Sequence, residues 1–133
     1  MSVELFNLIS GNLAMIWARI DLAQNLRSQQ GRSNDLVSLV AVSKRQPDER
    51  IDAALAAGQR VFGENRVQEA QDRWVPRRNQ HTDLKLHLIG PLQTNKAADA
   101  VAIFDVIEVV DRPKLAKVLG NEMIRQNRQL ECY

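Results

Sequence analysis

Cysteine is nearly absent: Cys132 is the only one among 133 residues. No internal disulfide can form, so a secreted, disulfide-framed scaffold is excluded. Histidine is almost as scarce, and one cysteine with two histidines suits no structural zinc centre. Aromatic side chains make up 5% of the chain and leave little to stack on nucleic-acid bases. An excess of one charge is missing too, since 18 Lys and Arg face 16 Asp and Glu for a scattered net charge of +2. Such a surface offers a nucleic acid no basic patch. Long apolar runs are also lacking. The opening MSVELFNLISGNLAMIW has no basic lead, carries Glu4 early and is broken by Asn7, Gly11 and Asn12, which does not fit a signal peptide. No segment approaches the ~20 apolar residues of a membrane span. These absences predict a cytoplasmic protein with no metal, nucleic-acid or membrane partner. What is present, 44% hydrophobic and 26% charged residues, suits one small globular domain over residues 1–133.

The pattern begins with Leu5, Ile9, Leu13, Ile16 and Ile20, whose steps of three and four predict an amphipathic N-terminal helix over about 3–28. A turn-rich link from Gly31 to Asp35 follows. From residue 36 onward strand and helix alternate. Strands are predicted at 36–44, 60–65, 84–90 and 104–110, with the closing LECY beginning a fifth. Between them, Pro47–Asp48 opens a helix stopped by Gly58, and a second helix runs to about Arg78. A short helix follows PLQTNK, and Asp111 with Pro113 opens the last one, to about Gln126. The polar strand ends Lys44, Asn65, Gly90 and Asp111 are spaced by 21, 25 and 21 residues, the rhythm of successive βα units on a parallel sheet. An open doubly wound sheet and a (β/α)8 barrel both satisfy it. No G-x-G-x-x-G or G-x-x-x-x-G-K-[ST] follows any strand, which disfavours a nucleotide-binding open sheet. About four and a half units are roughly half a barrel.

Parallel α/β folds gather their chemistry at the carboxyl ends of strands. Lys44 ends the first, on the face of Val40 and Val42. A lysine at the mouth of a packed interior is partly desolvated and suited to a Schiff base, whereas a solvated loop lysine needs no function. Asn65 either bonds a ligand near Lys44 or caps the following helix with Gln68. Glu64 could equally be a solvated carboxylate. His87 shares a strand face with Lys85 and Ile89, opposite Leu86 and Leu88, so it is either an inward ligand neighbour or a satisfied core histidine. The loop Pro91–Lys96 could bind phosphate or merely connect.

The stretches LVAVSK at 39–44, AGQRVFGENRVQEA at 57–70, HLIGPLQTNKA at 87–97 and FDVIEVVDRPKLA at 104–116 resemble, in order and spacing, the pyridoxal phosphate homeostasis family. The resemblance runs from Leu36 onward and covers the N-terminal portion of that family. It implies the first part of a fold type III (β/α)8 barrel, monomeric and without an added domain. It further implies that Lys44 holds pyridoxal 5'-phosphate (PLP) as a Schiff base and that Asn65 and His87 lie beside the pyridine ring. The implied role is non-catalytic, the intracellular homeostasis of vitamin B6, with PLP-dependent enzymes as recipients of the cofactor.

The family's phosphate cup comes from late strands, through Ser, Arg and Gly-Thr-type positions, and the chain stops at Tyr133 before them. A truncated chain that binds PLP weakly, with two unpaired sheet edges prone to association, is therefore expected. Two other functions compete. An alanine-racemase-like enzyme needs a tyrosine opposite the lysine, and the only tyrosine is Tyr133. A cofactor-free fragment that scaffolds a partner would instead show an exposed apolar edge.

Overall fold

A computed structural model describes all 133 residues, which gather into two compact units: Met1–Leu39 with Gln46–Gln59, and Val40–Arg45 with Arg60–Tyr133. No helix in it is long and apolar enough to cross a membrane.

The first unit is a pair of packed helices. Helix α1 (Val3–Gln29) starts where the Ser2 side chain accepts the Leu5 N–H at 3.1 Å, satisfying one orphan donor of the first turn. Its half-buried line is Leu5, Ile9, Leu13, Trp17 and Ile20, so Trp17 occupies the place expected of Ile16, which is exposed. Steps of four carry the stripe past Ile16. Helix α2 (Asp48–Ala56) lies against α1 and buries Ile51, Ala53 and Leu55. Pro47 fixes its entry, Asp48 and Glu49 complement the positive end of its dipole, and Gly58 at φ +96° ends it.

The second unit holds the sheet: β1 (Ala41–Val42), β2 (Val61–Glu64), β3 (Lys85–Leu88), β4 (Val106–Ile107) and β5 (Glu131–Cys132). Its helices are α3 (Val67–Arg78), α4 (Ala97–Ile103, after a 3₁₀ turn at Thr94–Lys96) and α5 (Pro113–Gln126). All neighbouring strands are parallel, and their order in space is β1-β2-β3-β4-β5. A doubly wound sheet reverses its strand order at a switch point. None occurs here. Unbroken sequential order is that of a (β/α)8 barrel, and the chain forms the N-terminal part of one.

The first predicted strand shrinks from 36–44 to Ala41–Val42. The residues before it find other partners: Gln24 Oε1 accepts the Val37 N–H at 2.5 Å, and Arg27 donates to the Asp35 carbonyl. The remaining strands are likewise shorter than their β-branched runs, and β4 keeps only Val106 and Ile107 of 104–110.

Register places Val42, Gly63, His87, Val106 and Glu131 in one row across the sheet. The opposite face carries Phe62, Leu86, Leu88 and Ile107, all buried, and the Trp74 ring of α3 packs on Phe62 at 4.6 Å between centroids. Each such side chain contributes about 1.5–3 kcal/mol when withdrawn from water. The last carbonyls of α4 meet cations: Arg128 donates to Val101 and Ala102, Arg78 to Ile103, and both guanidiniums reach Asp105. Helix α5 starts at Pro113 and ends on Asn127 in the left-handed region at φ +50°.

Candidate cofactor site

Lys44 stands two residues beyond Val42, where β1 turns away. The turn is bonded on both sides of it. The Ser43 N–H donates to the Gly63 carbonyl at 3.0 Å, Arg73 Nη1 donates to the Ser43 carbonyl at 2.8 Å, and Glu69 Oε1 accepts the Arg45 N–H at 2.7 Å. Arg45 itself sits at φ +60°, a conformation L-residues adopt only when their surroundings hold them there. Beneath the turn is Glu64, fully buried rather than solvated. Its Oε1 accepts from Ser43 Oγ at 2.7 Å, Arg73 Nη1 at 2.7 Å and Trp74 Nε1 at 3.0 Å. One carboxylate thus ties the end of β1 to α3. Lys44 is exposed, so the partial desolvation expected of it is not supplied by these residues. What they supply is aim: the backbone is fixed and the amine is accessible.

Asn65 follows the last residue of β2 and is half-buried. It does not cap α3. The N-cap position is Arg66, with no side-chain bond, and Gln68 reaches Asp72 Oδ1 at 2.9 Å instead of returning to Asn65. Capping fails because the chain runs one residue further before the helix starts, which leaves the Asn65 amide uncommitted. Its backbone is pinned by Gly90, at which a Cβ would lie 2.4 Å from the Asn65 carbonyl oxygen. A cleft of about 460 Å³ opens here, lined by Lys44, Arg45, Asn65, Arg66 and Glu69.

His87 does not line that cleft. It lies on the same sheet face, in the row of Gly63. Its Nδ1 is 2.5 Å from Glu108 Oε1, while its Nε2 is buried and has no hydrogen-bond partner. Further along the face, Lys85 Nζ and the Tyr133 hydroxyl both donate to Glu131, each at 3.0 Å. The two donors hold the Glu131 carboxyl below its ordinary range, and that bond raises the Tyr133 phenol above its own. Desolvation pushes the Cys132 thiol up.

The loop Pro91–Lys96 is anchored at Leu92. Leu92 is buried, and its carbonyl accepts from Arg112 Nη2 at 2.8 Å. The sequence marked neither Gly90 as a neighbour of Asn65 nor Glu108 as a partner of His87. For Gly90 the available signal was a glycine closing a strand beside a neighbouring strand's polar end, a mark of close backbone approach. For Glu108 no local signal existed, because its pairing with His87 depends on register.

The residues fit the cofactor that the motif resemblance implies. An accessible amine suits an aldehyde carbon, and the cleft's guanidiniums and amide suit polar ring substituents and anionic oxygens.

No family model matches the chain. Among curated proteins it is 41% identical over 116 residues to the pyridoxal phosphate homeostasis protein of Vibrio cholerae, covering 86% of this chain and 48% of that protein. The Escherichia coli protein of the same name is 40% identical over 119 residues, covering 87% of this chain and 49% of the relative. The chain thus spans about half the length of the curated relatives it matches. Among solved structures, PipY of Synechococcus elongatus with PLP bound aligns at a TM-score of 0.69 and 43% identity, over 83% of this chain and 51% of that one.

Proposed function

We propose that this chain, whose relatives at about 40% identity are pyridoxal phosphate homeostasis proteins, binds PLP covalently through the Lys44 amine and serves its intracellular homeostasis without catalysing a reaction. The observation that carries this reading is the setting of Lys44. An accessible amine stands on a bonded turn at the carboxyl end of β1, beside Asn65. The similarity to a structure holding PLP supports the choice of cofactor.

The parts divide the work. Lys44 supplies the nucleophile. Glu64, Arg73 and Glu69 keep its turn in place. Asn65 and His87 flank the ring, and when bound the cofactor supplies an electrophilic carbonyl. The protein acts as a monomer in the cytoplasm and hands PLP to enzymes that depend on it. A racemase-like role is disfavoured by Tyr133, the only tyrosine, whose hydroxyl is committed to Glu131 and whose phenol is held protonated by that bond.

The test is an absorbance titration of the 133-residue chain with PLP beside Lys44→Ala, followed by borohydride reduction and peptide mass analysis. The expected result is a new absorbance band in the wild type alone and a reduced adduct on the peptide containing Lys44. A folded wild type that yields no adduct, or one modified equally with and without Lys44, overturns the proposal.

A further inference from the structure

The cleft around Lys44 is cationic. Of its lining residues, Lys44, Arg45 and Arg66 carry positive charge and only Glu69 carries negative. The three cations are exposed, and none of their charged groups makes a hydrogen bond or an ion pair. Glu69 is engaged elsewhere: its Oε1 accepts the Arg45 N–H at 2.7 Å and lies 3.4 Å from Arg73 Nη1. With Arg73 and the buried Glu64 behind the turn included, four cations still face two carboxylates. The two rim guanidiniums reach their places differently. Arg66 is the N-cap residue of α3 and spends no side-chain bond on the helix. Arg45 sits at φ +60°, where asparagine or glycine would be less strained, and is held there by the bond to Glu69. A backbone outlier beside a nucleophile is a pattern that marks functional sites.

We propose that Arg45 and Arg66 form an anion-capture rim around Lys44, so that the cleft prefers an aldehyde carrying a doubly charged phosphate over the same aldehyde without one. This rests on the reading of Lys44 as the amine that takes the cofactor, and it adds which part of the ligand is recognised first. A phosphomonoester carries a charge of about −1.5 to −2 at neutral pH. Guanidiniums match its oxygens with paired N–H donors. Exposed charges of this kind act on encounter: they raise the association rate and lose their effect as salt screens them. The selectivity is therefore kinetic, and it does not depend on where the phosphate rests once Lys44 has reacted.

Stopped-flow absorbance with PLP and with pyridoxal, its phosphate-free counterpart, measures how fast each modifies Lys44. The runs compare low salt with about 0.15 M, where the screening length is about 8 Å. Borohydride reduction and peptide mass analysis identify the modified residue. Comparing each aldehyde only with itself cancels their different intrinsic reactivity. In the wild-type chain, added salt should slow PLP and leave pyridoxal nearly unchanged. In the double variant Arg45→Asn/Arg66→Gln, the low-salt rate with PLP should fall about tenfold. Its pyridoxal rate should hold, and its salt dependence should vanish. Asparagine tolerates positive φ and keeps the N–H that Glu69 accepts, so the turn is retained. Arg66→Gln alone, which leaves Arg45 in place, should give part of the effect. Equal salt dependence for the two aldehydes in the wild type overturns the proposal without recourse to any variant. So does a folded double variant that slows both aldehydes alike, or neither. In each of those cases an adduct on Lys44 leaves the PLP reading standing. Absence of any Lys44 adduct from the folded wild type overturns both.

Discussion

Gly90 has no room for a side chain. A Cβ there would lie 2.4 Å from the carbonyl oxygen of Asn65, 2.8 Å from its Cα and 2.9 Å from its Cβ. The first two are backbone atoms that cannot swing aside, so Gly90→Ala must push the ends of β2 and β3 apart. We expect a loss of about 1–3 kcal/mol, as overpacking usually costs, read from the urea midpoint, together with weaker PLP binding because Asn65 is displaced. Unchanged stability would show that the strand ends yield freely. Single residues were the least legible part of the sequence. Lys44 and Asn65 were readable as strand ends because a polar residue closes each apolar run. The burial of Glu64 was not, since its partners Ser43, Arg73 and Trp74 come from just past the preceding strand and from adjacent positions about two turns into the following helix.

Elements were legible where local chemistry decides them. Pro47 and Pro113 open helices and Gly58 closes one, because ring geometry and positive φ act without help from distant residues. Strand lengths were overestimated for the opposite reason. A β-branched run marks what can be a strand, but pairing ends where the neighbour ends, and β1 meets only Phe62 and Gly63. Strand β5 is held partly by charge. Glu131, with its carboxyl lowered chiefly by the Lys85 bond, adds stability that is complete above the ordinary carboxylate value and lost as pH falls through the lowered one. Tyr133, raised by Glu131, adds stability that is present below the ordinary phenol value and lost as pH rises through the raised one. The urea midpoint should therefore fall on both the acid and alkaline sides. Lys85→Met should lessen the acid-side fall. Superposable profiles for the two proteins would remove Lys85 from the account.

At the scale of the molecule, the choice between barrel and doubly wound sheet was beyond periodicity, because both produce the same strand-helix rhythm. Spatial order alone separates them, and it is sequential. The family motifs pointed to the barrel where spacing could not. Ligand linkage provides a test of the whole chain: if PLP binds only the folded form, stability should rise by about 2.7 kcal/mol at a free concentration 100 times Kd. The increase should appear as a PLP-dependent rise in the melting temperature of the wild type and be absent in Lys44→Ala. A rise of equal size in both would mean that PLP binds without Lys44.

The row that crosses the sheet runs Val42, Gly63, His87, Val106 and Glu131, with the His87–Glu108 contact beside its middle and the Lys85–Glu131 ion pair at its far end. Within the row, charge is confined to the β5 end, while Val42, Gly63 and Val106 offer no polar side chain. A planar ring laid along that row is expected to take one heading, its apolar edge over Val42 and Gly63 and its donor edge toward Glu131.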